Sequence, residues 1–289
     1  MSEKDRYLIF SLVLTLIFAV LISFVGGSNS ANLGGFSVFS WCVIIAFAIN
    51  WLAFIPANIA QTEHYYDLIG AVTYLSIITT AVVFSPSLDT RSLLVASMVI
   101  VWALRLGLFL FARVKRYGKD WRFDEMKTKP LSFLVAWTVQ ALWTVVTAAC
   151  ALAIVTSTTR LPLSWLGIIG ILIWLIGFAI EVIADHQKSL FKRNPVNKDK
   201  FIKQGLWARS QHPNYFGEIL LWIGMAIIAI PVLSGWQYFC LISPVFVFCL
   251  LRYVSGVPDL QKKAMQHWGE DSDYLNYKKS TPLLIPSIR

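Results

Sequence analysis

The segment Gly205-Leu206-Trp207-Ala208-Arg209-Ser210-Gln211-His212-Pro213-Asn214-Tyr215-Phe216-Gly217-Glu218 gathers hydrogen-bonding side chains in a chain otherwise poor in them. Pro213 suits the first turn of a helix, where its missing N–H has no intrahelical partner to lose. A helix opening there leaves free N–H groups and the positive end of its dipole beside Arg209. That arrangement holds anions, phosphate above all. The basic residues of 188–203 strengthen the same field. Arg209, His212 and Asn214 are therefore the expected contacts for the polar part of a phosphate-bearing cofactor. His212 taken alone reads as an interfacial histidine bonded to backbone; the set carries the expectation.

A second group of chemical residues lies inside or at the ends of apolar runs. Glu181 and Asp185, four residues apart, share one helical face. Glu218 follows one turn into the next apolar run, and Arg105 lies within an earlier one. Ionisable groups cost several kcal/mol in a bilayer, so they face a partner, a wet cavity or a ligand. The structural alternative is an ion pair of Glu181 or Glu218 with Arg105. Cys42, Cys150, Cys240 and Cys249 fall in apolar runs without a CxxC or a histidine cluster, which supports neither a disulfide framework nor a zinc site. They read as buried small hydrophobes.

These residues need an apolar scaffold to position them. Of the 289 residues 57% are apolar and 14% charged, against about 25% charged in soluble domains. A spanning helix takes about 20 apolar residues, and eight stretches meet or approach that: roughly 8–26, 36–58, 67–86, 92–112, 131–156, 163–184, 214–230 and 236–254. The first reads as a retained span rather than a signal peptide, since no small-x-small cleavage site follows it. Basic residues accumulate on the cytosolic side. With the N-terminus inside, 22 of the 25 Lys and Arg fall inside, Arg91 and Arg160 outside, and Arg105 within a span. An odd number of spans breaks this alternation. The expected fold is an all-α polytopic transmembrane helix bundle of about eight spans, with both termini cytosolic. The net charge of +9 is spread in blocks between spans, so it marks topology and not nucleic-acid binding. Residues 26–35 read as a short external loop, and 258–279 as a cytosolic amphipathic helix.

Taken together, Trp102-Ala103-Leu104-Arg105-Leu106-Gly107, Asp120-Trp121-Arg122, Glu181-x-x-x-Asp185, Gly205-Leu206-Trp207, Arg209-x-x-His212-Pro213-Asn214-Tyr215-x-Gly217-Glu218 and Tyr274-x-x-Tyr277 through Leu284-Ile285-Pro286 resemble the steroid 5-alpha-reductase family in its bacterial branch, related to the membrane sterol reductases. The resemblance covers the chain from about Asp67. It implies a seven-span reductase-like core plus one span, divided as N-terminal spans at 1–60 and a reductase-like domain with its cytosolic tail at 61–289. It also implies NADPH as cofactor, contacted by Arg105, Asp185, Asn214, Glu218 and Arg252, with Glu181 where the steroid enzymes have an amide. Arg122 belongs to a basic block that would touch the same cofactor, and the Tyr274 segment resembles the one that closes over it. Where those enzymes place a glutamate and a tyrosine on the substrate carbonyl, Glu63 aligns near the first and Trp102 with the second.

The implied reaction is hydride transfer to a C=C bond conjugated to a carbonyl in a lipophilic substrate, steroid-like or isoprenoid, entering from the bilayer. A hydrogen bond aimed at the carbonyl oxygen stabilises the developing enolate. Tyr66, Glu63 and Tyr215 are the candidate donors, and Glu63 could serve only if its pKa were raised to keep it neutral. No metal and no nucleic acid are expected, and the membrane is expected to be a bacterial inner membrane with the site facing the cytosol. The rival reading is an S-adenosylmethionine-dependent methyltransferase of the isoprenylcysteine or phospholipid type, which carries a similar Arg-x-x-Pro-x-Tyr-x-Gly segment but binds a cofactor without phosphate. A transporter or structural membrane protein ranks third, because the ionisable groups cluster at helix ends and not at mid-membrane.

Overall fold

The computed structural model describes residues 2–117 and 120–287. Lys119 of the expected basic block and Arg289 of the tail lie outside the described residues. In chain order the helices are α1 (Glu3–Gly27), α2 (Val38–Ile59), α3 (Tyr66–Phe84), α4 (Thr90–Tyr117), α5 (Pro130–Thr156), α6 (Trp165–Arg193), α7 (Pro213–Ala229), α8 (Ile242–Cys249), α9 (Val257–Trp268) and α10 (Ser272–Ser280). Among the described residues, eight helical stretches are long and apolar enough to cross a membrane, as expected. Their outward faces carry Phe10, Val20, Leu52, Leu108 and Val245, each more than half exposed. So much exposed apolar surface suits a hydrocarbon solvent and would be a liability in water.

The expected loop at 26–35 is more ordered than a loop. After α1 the chain forms a small hairpin, β1 (Asn32–Leu33) paired antiparallel with β2 (Phe36–Ser37). Gly34 and Gly35 turn it with φ of 59° and 87°, left-handed values that a two-residue hairpin turn demands and glycine adopts without strain.

The chain divides into two compact units. The first comprises 1–164 and 229–243, and α5 is its most buried helix. Its run of small and apolar residues from Ala148 to Val155 is at most 1% exposed, which leaves room for neighbouring helices to approach closely. Two buried amides tie its helices together through their nitrogens: Asn50 Nδ2 donates to Thr73 Oγ1 at 3.1 Å, and Gln140 Nε2 to the Tyr66 carbonyl at 3.0 Å, while their amide oxygens find no partner among the described residues. Arg91 and Arg160 are structural. Arg91 donates to the Pro162 carbonyl at 2.9 Å, while Arg160 reaches Ser92 Oγ at 2.7 Å and the Ser87 carbonyl at 2.6 Å.

The eighth predicted span is composite. A 3-10 stretch, Gly235–Leu241, precedes α8, and a π turn, Leu250–Val254, follows it. Pro244 has no N–H to give to the Cys240 carbonyl, and that carbonyl accepts the Cys150 thiol at 3.1 Å instead. Gln237 Nε2 also caps the Gly26 carbonyl at 3.0 Å. Cys249 corrects the expectation of four buried cysteines, because it is exposed on the outer face of α8.

The second unit comprises 165–228 and 244–289. Its two long helices pack backbone to backbone. A Cβ on Gly177 would lie 2.7 Å from the Gly217 carbonyl oxygen, and one on Gly224 2.6 Å from that of Gly170. The seven-residue spacing puts each glycine pair on one helical face, so α6 and α7 meet along a seam without side chains. The amphipathic segment predicted as one helix is two. It breaks at Gly269, and Asp271 caps α10 by accepting the Asp273 and Tyr274 N–H groups at 2.8 and 3.3 Å.

Candidate cofactor site

Pro213 opens α7 as its composition requires, with the Phe216 N–H returning to the His212 carbonyl at 3.1 Å. The segment before it is tied down from both sides. The 3-10 turn Gly205–Ala208 docks on α6 through Trp207 Nε1 to the Ala184 carbonyl at 3.0 Å, and Lys188 Nζ lies 4.4 Å from the centre of the Trp207 ring. The C-terminal residues form a strap across the other side. Gln211 N–H donates to the Pro282 carbonyl at 2.9 Å, Gln211 Nε2 to the Thr281 carbonyl at 2.7 Å, Ser210 Oγ to the Leu284 carbonyl at 2.7 Å, and Ser287 N–H to the Arg209 carbonyl at 2.9 Å. The Tyr277 hydroxyl adds a bond to the Trp207 carbonyl at 2.6 Å.

The close α6–α7 seam brings the sequence-predicted acids to the start of α7. A Cβ on Gly217 would stand 2.6 Å from the Glu181 backbone N, and one turn further along α6 Asp185 Oδ1 accepts Asn214 Nδ2 at 3.2 Å. Glu181 is 2% and Asp185 6% exposed. His212 is buried and stacks on Tyr215, with ring centres 5.4 Å apart and planes 12° from parallel. Tyr215 is held in turn by Gly256, which has φ 119° and whose added Cβ would meet the tyrosine hydroxyl at 3.1 Å. Gly256 follows the π turn that carries Arg252; such turns recur at functional sites.

Burial, and then the charges of Lys188 and Arg252, push the His212 imidazole down from the usual 6.5 to about 3. It is therefore neutral at physiological pH. Its Nδ1 and Asn214 Oδ1 are buried and, among the described residues, without a hydrogen-bond partner. Two such atoms two residues apart suit a polar ligand. Asn214 offers an acceptor, neutral His212 a donor or an acceptor, and Lys188 and Arg252 positive charge. This donor set fits a nucleotide.

The remaining predicted residues are placed as follows. Glu218 lies one turn into α7. Arg209 is exposed, with its carbonyl in the strap. Tyr274 is buried, its ring 5.2 Å from that of Phe201. Glu63, Tyr66, Arg105 and Arg122 belong to the first unit. Arg105 sits 5.3 Å from the Phe109 ring centre, and Arg122 Nε binds both Asp120 carboxylate oxygens at 3.0 Å. The Tyr66 hydroxyl donates to the Ala136 carbonyl at 3.0 Å. Glu63 departs from the neutral donor that enolate chemistry requires. Its carboxylate binds Lys127 Nζ at 2.7 Å and the Asp120 N–H at 3.0 Å. Burial alone would raise its pKa, but these partners outweigh burial and hold it below the usual carboxylate value.

Sequence reasoning missed Ser210 and Gln211 as anchors of the strap, for which no local signal exists. It also missed the packing role of Gly170, Gly177, Gly217 and Gly224, whose seven-residue spacing within each helix was a readable signal.

Among the described residues, eight helices apolar and long enough to cross a membrane define an all-α membrane protein, with a buried polar cluster at the head of α7. The chain belongs to the family described as "Protein of unknown function (DUF1295)", which matches residues 53–281. Among curated relatives it is 28% identical over 121 residues to "3-oxo-5-alpha-steroid 4-dehydrogenase 1" of Bos taurus, covering 41% of each chain. It is 26% identical over 120 residues to "Probable O-methyltransferase ustE" of Ustilaginoidea virens, again 41% of each. To "Delta(14)-sterol reductase ERG24" of Saccharomyces cerevisiae it is 37% identical over 75 residues, 22% of this chain and 17% of the relative. These matches span less than half the length of the relatives, and no solved structure matches the chain. The resemblance to the steroid 5-alpha-reductase family is borne out.

Proposed function

We propose that the protein is a membrane-embedded, NADPH-dependent reductase that transfers a hydride to a carbonyl-conjugated C=C bond of a lipophilic substrate. The observation that carries the cofactor assignment is the buried Asp185–Asn214 pair beside neutral His212, with Asn214 Oδ1 and His212 Nδ1 lacking partners among the described residues. The similarity to the steroid dehydrogenase and the sterol reductase supports the reaction class. NADPH, when bound, supplies the hydride. Asn214 and Asp185 would hold its polar groups, with Arg252, Lys188 and the α7 N-terminus facing its phosphates. Glu181, Glu218, Arg209 and Tyr274 belong to the same unit and would complete the enclosure. Tyr215 is the donor favoured for the substrate oxygen. Its ring stacks on His212 in the same unit as Asp185 and Asn214, and Glu63 is an ion-paired carboxylate.

The similarity to an O-methyltransferase supports one rival, methyl transfer from S-adenosylmethionine. A titration of the detergent-purified protein with NADPH, NADH and S-adenosylmethionine, read by tryptophan fluorescence, separates the two. Binding of NADPH, followed by its oxidation with an enone, meets the proposal. Binding of S-adenosylmethionine alone replaces it with methyl transfer.

A further inference from the structure

The end of α6 carries a basic surface that the proposed cofactor site does not use. A helix of 29 residues runs for about 43 Å, against a hydrocarbon core of about 30 Å, so its last turns stand at headgroup level or beyond. Lys192, Arg193, Lys198 and Lys200 are exposed there, with Asp199 as the carboxylate among them. Lys192 and Arg193 occupy the last turn of α6, where the negative end of the helix dipole favours cations in any case. Lys198 and Lys200 lie outside that effect. They flank Asp199, whose φ of 64° makes a left-handed turn. The turn is closed by Lys200 N–H to the Asn197 carbonyl at 3.1 Å and clamped by Trp268 Nε1 to the Asp199 carbonyl at 2.7 Å. Asp199 itself faces His267, 3.7 Å away.

Beside this turn lies a cleft of about 480 Å³, floored by the amides of Gln187, Asn194, Asn197 and Gln204 and walled by Leu190 and Phe191. Leu190 is 50% and Val196 71% exposed on the same segment. Cations, neutral amides and an apolar wall thus occur together where a spanning helix leaves the bilayer. We propose that this surface binds the headgroup of an anionic phospholipid. The phosphodiester faces Arg193, Lys198 and Lys200, the headgroup hydroxyls meet the amides, and the first acyl methylenes lie on Leu190 and Val196. Clusters of four or more basic residues next to a membrane helix attract anionic lipid in this way. A soluble anion would leave the apolar wall without a use.

The test is native mass spectrometry of the full-length protein released from nanodiscs that contain phosphatidylglycerol and phosphatidylcholine in equal amounts. Wild type is expected to retain phosphatidylglycerol preferentially. The variant Lys192→Gln/Arg193→Gln/Lys198→Gln/Lys200→Gln is expected to lose that preference by about a hundredfold or more, since each cation near an anionic surface is worth about fivefold and the four multiply. Lys262→Gln/Lys263→Gln on α9 is the control and should keep it. Unchanged retention in the quadruple variant, or equal loss in the control, overturns the proposal. Release of phosphatidylglycerol by millimolar inorganic phosphate would assign a free-anion site and also overturn it. Should the quadruple variant fail to fold, Lys198→Gln and Lys200→Gln singly, each expected to lose about fivefold, decide the matter in its place.

Discussion

Asn214 joins a helix start to a buried acid: its amide nitrogen is spent on Asp185, and its amide oxygen has no partner among the described residues, which is what the proposed cofactor would meet. Truncating either partner removes a hydrogen bond to a charged group, worth about 1.5–3 kcal/mol. Asn214→Ala and Asp185→Ala are therefore expected to weaken NADPH binding by on the order of tenfold to a hundredfold while leaving expression unchanged. Fluorescence titration checks this, and wild-type affinity in both variants would remove the site assignment. His212 makes a separate prediction with a definite sign. Its native pKa of about 3 lies below the usual 6.5, so between these values the unfolded chain binds a proton that the native state does not. Stability is then complete above pH 6.5 and falls as pH drops from there toward 3. His212→Gln should flatten this dependence in thermal melts recorded between pH 7 and pH 5. An unchanged slope would show that the imidazole is not held neutral.

At the scale of elements, the register between α6 and α7 decides whether Asp185 can reach Asn214 at all. That register is set by two glycine contacts, Gly170 with Gly224 and Gly177 with Gly217, which let the backbones touch. A methyl on Gly217 would stand 2.6 Å from backbone atoms of α6 that no rotamer change can move aside. Gly217→Ala should thus cost about 1–3 kcal/mol through overpacking and loosen the Asp185–Asn214 pair. A lowered melting temperature together with weakened NADPH binding is the expected result, and an unperturbed variant would mean that the seam tolerates separation. The helices themselves were legible, because apolar runs of spanning length admit few other readings in a chain this poor in charge. The start of α7 was legible from Pro213. The composite eighth span was not: Pro244 stands in the sequence, but nothing there shows that the Cys240 carbonyl is taken up by Cys150, 90 residues away. The strap across Ser210 and Gln211 was equally invisible, because its bonds join segments about 70 residues apart through backbone atoms that every residue shares.

For the whole molecule the strongest signal is the placement of charge. Of 25 Lys and Arg, 22 fall on alternate inter-span segments and the termini. The two on the opposite segments, Arg91 and Arg160, bind loop carbonyls and Ser92 at helix ends, which accounts for them without a topological role. Basic residues resist translocation, so both termini and the segment before α7 are expected on one side, the cytosol. Glu63 shows the limit of such reading: its type fitted a proton donor, but the neighbour that ionises it, Lys127, lies 64 residues away and is not marked by any spacing. Single cysteines introduced into a cysteine-free background test the orientation. Ser2→Cys and Ser280→Cys should react with an impermeant maleimide only after the cells are opened. Gly34→Cys, in the exposed turn between β1 and β2, should react in intact cells. Labelling of Ser2→Cys and Ser280→Cys on opposite sides would require an odd number of crossings and overturn the eight-span topology, and labelling of both in intact cells would invert it and place the cofactor site away from the cytosolic NADPH pool.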